Sequence, residues 1–524
     1  MNVAFDPWIP VVTTSGKRNL ASLCDVLTEG EKFADLAVRP HERVSLMRLF
    51  LCVAHAALDG PKDYDEWCDV PRRLPDAAKK YLTSWKDSFE LFHETKPWFQ
   101  VAGLSKSAHG KSSSSETIDW TPVSKLNFSF ATGNNTTLFD HDGSSEDRNI
   151  PLNETILAML TYQCFSPGGL ISQVFWNGVQ SGKSSKDGPC VPSSMIHALI
   201  RGKNLVETIH INLPNYEEVK FRSYGERDIG RPIWEKMPDS LTDSVNIENA
   251  TGTYIGRLVP MTRLIRLHPA GKRMLLGDGL LYPVFADGFP EEPTATVVIR
   301  QNGKKEKRAV LSYRPGKAVW RELAAIVVKR KAGGAGGPLS LSNIQDGENC
   351  DLIVGALARD QATIVDTIES VYHIPAQLRS PEGTAAYESE VKNAESRASR
   401  LGWAIEIYRH EVDKGWEGRL KAAGASKGKL KAKLHFIATT HYWTTVEKNL
   451  PLLMAHIEAI GSEDAIPTRD AWRKMLFASA REAYRIACGQ GTPRQMRAFA
   501  KGWQKLTGKR EESKSNEINK EVKG

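Results

Sequence analysis

The hydrophobic period of this chain changes once, and that change limits the fold more than any motif does. After Pro375, the residues Tyr387, Val391, Ala394, Ala398, Leu401, Ile405, Tyr408 and Val412 are spaced alternately by four and three, which sets them in one stripe along a helix. The alternation returns at Trp443, Val446, Leu450, Leu453, Ile457 and Ile460. A third helix is predicted from Arg469 to Cys488, and a fourth, shorter one from Pro493 to about Leu506. Each stripe needs a partner to bury against, and antiparallel helices with short links supply one, so residues 376–510 read as a four-helix bundle. The closing "KREESKSNEINKEVKG" is charged and lacks apolar anchors, which predicts a disordered tail over 511–524.

Before Pro375 no single period dominates. "VSLMRLFLCVAHAAL", Val44 to Leu58, is apolar enough for a mostly buried helix. "TATVVIRQNGKKEKRAVLSY", Thr294 to Tyr313, is two β-rich runs joined at Asn302-Gly303, a pair suited to a type I′ turn, and predicts a hairpin. Polar stretches at Ser105–Ser115 and Asp140–Asn149 read as exposed loops. The expected class is therefore α+β: a large mixed α/β domain over residues 1–375, then the bundle. At 524 residues the chain is in any case too long for one ordinary core.

Composition excludes several classes. With 41% apolar and 25% charged residues the chain reads as a globular protein. No stretch approaches the roughly 20 apolar residues of a membrane span, and "MNVAFDPWIPVV" lacks the basic-then-apolar order of a secretory leader, so a cytoplasmic protein is expected. Seven cysteines, Cys24, Cys52, Cys68, Cys164, Cys190, Cys350 and Cys488, are scattered with no CxxC pair. That pattern fits reduced thiols and gives no support for a metal site. A net charge of +8 permits an anionic partner without requiring one.

Two segments resemble catalytic motifs and fall short. "NGVQSGKSS", Asn177 to Ser185, places Asn177 where a phosphate-binding loop needs glycine, so it reads as a flexible basic loop and Lys183 as a poor candidate for a P-loop-like NTPase. "FDHDG", Phe139 to Gly143, holds the pair His141–Asp142 of a metal-dependent nuclease or phosphohydrolase, but nothing fixes the spacing of further ligands such as His93, His109 or His197. Basic clusters are more informative. "GRLKAAGASKGKLKAKL", Gly418 to Leu434, carries Arg419, Lys421, Lys427, Lys429, Lys431 and Lys433 without an acidic residue, as a solvated linker or a phosphate-tracking arm would. The hairpin adds Arg300, Lys304, Lys305, Lys307 and Arg308. Two such clusters without catalytic residues favour nucleic-acid binding. Finally, in "ALARDQATIVDT", Arg359, Asp360 and Gln361 interrupt an apolar run, Leu352 to Leu357, and put an amide at the tip of the break.

Taken together, "FDPWIPV" (Phe5–Val11), "PWFQ" (Pro97–Gln100), "SPGG" (Ser166–Gly169) and "ARDQATI" (Ala358–Ile364) resemble, in order and spacing, the CasA family, the large subunit of the type I-E CRISPR Cascade complex. The resemblance spans nearly the whole chain. It implies a non-enzymatic subunit that recognises the protospacer-adjacent motif of double-stranded DNA from the minor groove, helps open the duplex and recruits a helicase–nuclease in antiviral defence. The implied partners are the guide CRISPR RNA, the target duplex and its displaced strand, and the other Cascade subunits (backbone, 5′-handle-binding and small subunits), with no membrane, cofactor or catalytic residue.

Residue by residue, Gln361 matches the family's glutamine wedge, with Arg359 and Asp360 beside it; Asp360 stands where the family can have asparagine, and a carboxylate there would repel phosphate. Pro167, Gly168 and Gly169 match the glycine loop, and Leu170 makes it less permissive than a further glycine would. Lys272, with Arg273, matches the lysine finger. Arg300, Lys304, Lys305 and Lys307 lie near the family's basic hairpin. The loop Asn134–Asp142, with Phe139, Asp140 and His141, matches a segment that meets the guide RNA and neighbouring subunits. Some relatives carry a cysteine cluster before the hairpin; none lies between Cys190 and Cys350 here, so no metal is expected. The nuclease, the NTPase and a purely structural scaffold remain as rivals.

Overall fold

The apolar run expected to be buried lies inside a helix, Pro40–Leu58, whose side chains are buried on nearly every side. Proline at its first turn has no orphan N–H to satisfy, and Glu42 reaches back to the Arg39 N–H at 2.8 Å. The structure is a computed structural model, and the described residues are 1–106, 120–130, 149–189, 195–284, 292–302, 305–360, 363–412 and 427–508. The chain divides into two compact units, Met1–Ile374 and Pro375–Gly524.

In the first unit, the core helix carries two buried arginines. Arg48 is fully buried, donates to the Leu258 carbonyl at 2.7 Å and pairs with Glu292. Burial alone would raise the Glu292 carboxyl, but Arg48 and Arg257 beside it hold it below the usual range. Arg43 pairs with Asp35 in the strand Phe33–Leu36 and, at 2.8 Å, with Glu369 in the strand Thr363–Ile374. It thereby ties the N-terminal sheet to the longest hairpin of the fold.

That hairpin is Cys350–Asp360 against Thr363–Ile374, antiparallel, with Ile196–Arg201 on its other side. A second sheet orders Arg263–Leu267, Arg273–Asp278 and Thr121–Pro122. The N-terminal sheet has Ile9–Thr13 between Arg18–Ala21 and Phe33–Leu36. Trp8 is fully buried and donates its indole N–H to the Val3 carbonyl at 2.8 Å, so "FDPWIPV" is in part a packing motif.

The basic hairpin forms as Val297–Asn302 against Lys305–Val310, with its turn one residue later than expected and its cross-strand partners shifted by two. Its link is Gly303–Lys304 rather than Asn302–Gly303. The observed register sets Val297 against Val310 and Val298 against Ala309; a turn centred on Asn302–Gly303 would have set Val298 against Lys307. Cross-strand apolar pairing outweighs the local turn preference.

In the second unit the helices are Pro381–Val412, Lys427–Lys448, Leu450–Glu458, Ala465–Ala487 and Pro493–Thr507. The first stripe is inward: Tyr387, Val391, Ala394, Leu401, Ile405 and Tyr408 are buried. The second predicted helix is broken at Asn449, because Pro451 has no N–H to give the turn before it. Five α-helices therefore stand among the described residues of this unit where four were expected, and the lysine-rich segment is helical from Lys427 on rather than a linker throughout. Residues 413–426 and the tail from 509 lie outside the described residues.

Candidate nucleic-acid interface

The expected glycine loop follows the helix Leu152–Phe165 and pairs, through Gly169 and Leu170, with Ser185 and Ser184. Gly168 is required by close approach. A Cβ there would meet the Ser185 carbonyl oxygen at 2.8 Å, the Asp187 nitrogen at 3.0 Å and the Lys186 carbonyl carbon at 3.0 Å, all of them backbone atoms. Leu170, by contrast, is 90% exposed.

Two charges hold this loop. Arg263, 2% exposed, donates to the Pro167 carbonyl at 2.9 Å and the Lys186 carbonyl at 2.7 Å. Burial lowers its guanidinium from the ordinary arginine range, and the three carbonyls it meets, Thr262 included, disperse the charge that remains. On the other side Asp187 accepts the Gly168 N–H at 2.7 Å and pairs with Arg359 at 2.9 Å.

Arg359 is thus brought to the glycine loop. It does not lie in a break: its strand continues to Asp360, with Arg359 opposite Ile364 and Asp360 opposite Thr363, after a register shift between Ala358 and Arg359. The link between the strands is Gln361–Ala362, which, like the Asp360 side chain, lies outside the described residues. Midway along its length the hairpin is anchored to the core helix by Arg43–Glu369.

Lys272 is exposed beside the turn that joins Arg263–Leu267 to Arg273–Asp278. Gly271 there has φ +74°, the left-handed region that glycine enters without penalty, and Gly271 N–H donates to the His268 carbonyl at 2.8 Å. Two buried amides, missed in the sequence, seat this hairpin. Gln163 accepts from the N–H groups of Thr262 and Arg263, both at 2.8 Å, and donates to the Arg263 carbonyl at 3.0 Å. Gln100, the last residue of "PWFQ", accepts the Leu267 N–H at 2.7 Å and donates to the Leu91 carbonyl at 2.7 Å. Lys272 and Arg263 therefore occupy opposite ends of one hairpin, six residues apart along it, about 20 Å at ~3.4 Å per residue, or some six base-pair steps. Arg273 is half-buried and donates to the Trp120 carbonyl at 3.1 Å, so it works as a brace beside Lys272.

On the basic hairpin Arg300 is directly opposite Lys307, and Lys305 shares their face. All three are exposed. Like charges placed opposite each other disfavour the pairing. Lys304 and the loop holding Phe139, Asp140 and His141 lie outside the described residues.

The phosphate-binding near-motif does not assemble. Asn177 and Gly178, both left-handed at φ +50° and +78°, turn the strand Phe175–Trp176 into Val179–Gln180, and Ser184–Ser185 is a strand. A phosphate-binding loop needs a helix N-terminus after its Gly-Lys-Ser, and the flexible loop expected here is a tight hairpin instead. His197 is buried with Nδ1 2.8 Å from the Thr294 hydroxyl, and His141 and Asp142 lie outside the described residues. Among the described residues no group of three or more His, Cys, Asp or Glu could hold a metal ion, and no helix is long and apolar enough to cross a membrane.

Comparison with known proteins gives a consistent result. The profile of the family described as CRISPR-associated protein Cse1 matches residues 2–483. The CRISPR-associated protein CasA/Cse1 of Thermus thermophilus is 30% identical over 532 residues, 96% of each chain. The crystal structure of Thermus thermophilus CasA superposes with a TM-score of 0.72 at 25% identity, covering 97% of this chain and 98% of that one. A chain of a CRISPR RNA-guided surveillance complex shares the fold, with a TM-score of 0.69 at 18% identity over 97% of this chain and 99% of that one.

Proposed function

This chain belongs to the Cse1 family of CRISPR-associated proteins, and on that premise we propose that it is the large, non-catalytic subunit of a CRISPR RNA-guided surveillance complex. In this reading it docks on a short motif in double-stranded DNA from the minor groove, opens the duplex beside it, and presents its helical unit to the helicase–nuclease that destroys the target. The observation that carries the reading is the Asp187 carboxylate, which joins the Gly168 N–H to Arg359. It sets the loop suited to a groove floor beside the end of the hairpin that carries Gln361.

The chemistry fits the minor groove. That groove offers mainly acceptors, so a lysine, an amide and close-approaching backbone read it only degenerately, and tolerance of several motif sequences follows. Separating a base step costs a few kcal/mol, offset by the wedge and by phosphate contacts. Lys272, some six steps from the Arg263 that holds the glycine loop, engages the far side of the motif, and the face bearing Arg300, Lys305 and Lys307 guides the displaced strand. Longer sequence is read by pairing with the guide RNA, and the Asn134–Asp142 loop meets that RNA and the neighbouring subunits.

The test is purification of the tagged full chain from its native cell, followed by identification of what accompanies it. A short guide RNA and several smaller proteins are expected. A chain recovered alone, or one that cleaves DNA by itself with a metal ion, overturns the reading.

A further inference from the structure

We infer that Asp187 is a positioning residue that couples the glycine loop to the end of the long hairpin, so that engagement of the motif and opening of the duplex proceed as one event. The inference rests on the function proposed above.

One peptide plane lies at the centre of the coupling. In a trans peptide the carbonyl and the N–H point in opposite directions. In the unit Pro167–Gly168 the carbonyl faces Arg263 at 2.9 Å and the N–H faces Asp187 at 2.7 Å. The plane is therefore gripped from both sides. Arg263 also takes the Lys186 carbonyl at 2.7 Å, and Gly169 pairs with Ser185. The loop would keep its shape through those contacts without Arg359. The outward reach of Asp187 serves something else.

Each oxygen of Asp187 has its own task. Oδ1 accepts from Gly168, and Oδ2 faces the Arg359 guanidinium at 2.9 Å. A carboxylate is rigid and planar, so a shift of the glycine loop is passed to Arg359 without a flexible linker. Arg359 is aimed at it by the register shift after Ala358, the kind of irregularity that redirects a side chain at a strand end. The side chains are 31% and 13% exposed. A carboxylate on a surface that meets DNA would repel phosphate, and Arg359 neutralises it there.

The test uses the complete complex, with a duplex that bears the motif and a fluorescent base analogue beside it. Asp187→Asn leaves one oxygen for two donors on different sides, so the bridge breaks while shape is kept. Asp187→Asn and Arg359→Ala are each expected to slow opening by about fivefold, the effect of losing one partly exposed charge pair. Their combination is expected to be no slower than either alone, and Arg359→Lys to restore most of the rate. Opening at the unaltered rate in Asp187→Asn, or effects that multiply in the double variant, overturns the coupling. Gln361→Ala serves as the reference. If it slows opening while Asp187→Asn does not, the coupling fails alone; if neither slows it, the wedge reading fails and takes the coupling with it.

Discussion

Arg263 donates to the Pro167 carbonyl at 2.9 Å from a site that is 2% exposed, so the loop meant for the groove floor rests on a buried charge. Directly above that contact, Gly168 has no room for a side chain. Gly168→Ala is expected to move the Ser185–Asp187 backbone or the loop itself, since a Cβ would stand 2.8 Å from the Ser185 oxygen. Discrimination between motif-bearing and motif-free duplexes should fall at least tenfold, a change of about 1.4 kcal/mol, in a binding titration at fixed salt. Unchanged discrimination would remove the loop from the interface.

Lys272→Ala is expected to weaken binding to motif-bearing duplexes by about tenfold, within the range for one lost base-edge contact. Motif-free DNA should lose less. Equal loss on both would make Lys272 a general phosphate contact. Arg273→Ala should act differently, because its guanidinium holds the Trp120 carbonyl; it is expected to lower thermal stability before it alters discrimination.

Gln163→Leu tests the seating of the lysine hairpin. The substitution keeps the volume but leaves the N–H groups of Thr262 and Arg263 buried without their 2.8 Å acceptor. A loss of about 3 kcal/mol is expected, read as a lower urea midpoint at unchanged slope.

Acid should weaken the first unit. Burial lowers His41 and His197 to about 4 and His55 to about 3 from an ordinary 6.5. His55 is held as a neutral ring: Nδ1 donates to the Gly60 carbonyl at 2.9 Å, and Nε2 accepts from the Tyr254 hydroxyl at 3.0 Å. The folded values lie below the unfolded one, so the unfolded chain binds more protons between them. Stability is therefore full above about pH 6.5 and falls as pH drops toward 4, by up to about 1.4 kcal/mol per pH unit for each histidine. Urea midpoints measured from pH 7.5 to 4.5 check this; a flat profile would mean that these rings titrate while the protein stays folded.

Periodicity carried the helices well. The stripe from Tyr387 to Tyr408 buries as spaced except at half-buried Ala398, because one face of a helix repeats every three or four residues whatever it packs on. The break at Asn449 was legible only in Pro451, whose missing N–H outweighs the stripe around it. The hairpin at Asn177–Gly178 carried the same Asn-Gly signal as Asn302–Gly303, yet the first pair forms the turn and the second does not, since strand register is settled by partners far along the chain. Gly168 and Lys272 were singled out through resemblance to the family, which is the source of their proposed roles. Asp187 was not: a lone aspartate in a polar stretch has no pattern, and its two partners meet only in the folded chain. Gln100 and Gln163 were likewise hidden, because a buried amide is distinguished by the backbone groups it satisfies.

The most direct test of the wedge is Gln361→Ala in the complete complex, with strand separation followed by a fluorescent base analogue next to the motif and initial binding measured in parallel. Opening is expected to slow by about tenfold or more, from loss of a contact that offsets an unstacking cost of a few kcal/mol, while binding to the motif changes by less than about threefold. Opening at the unaltered rate would contradict it.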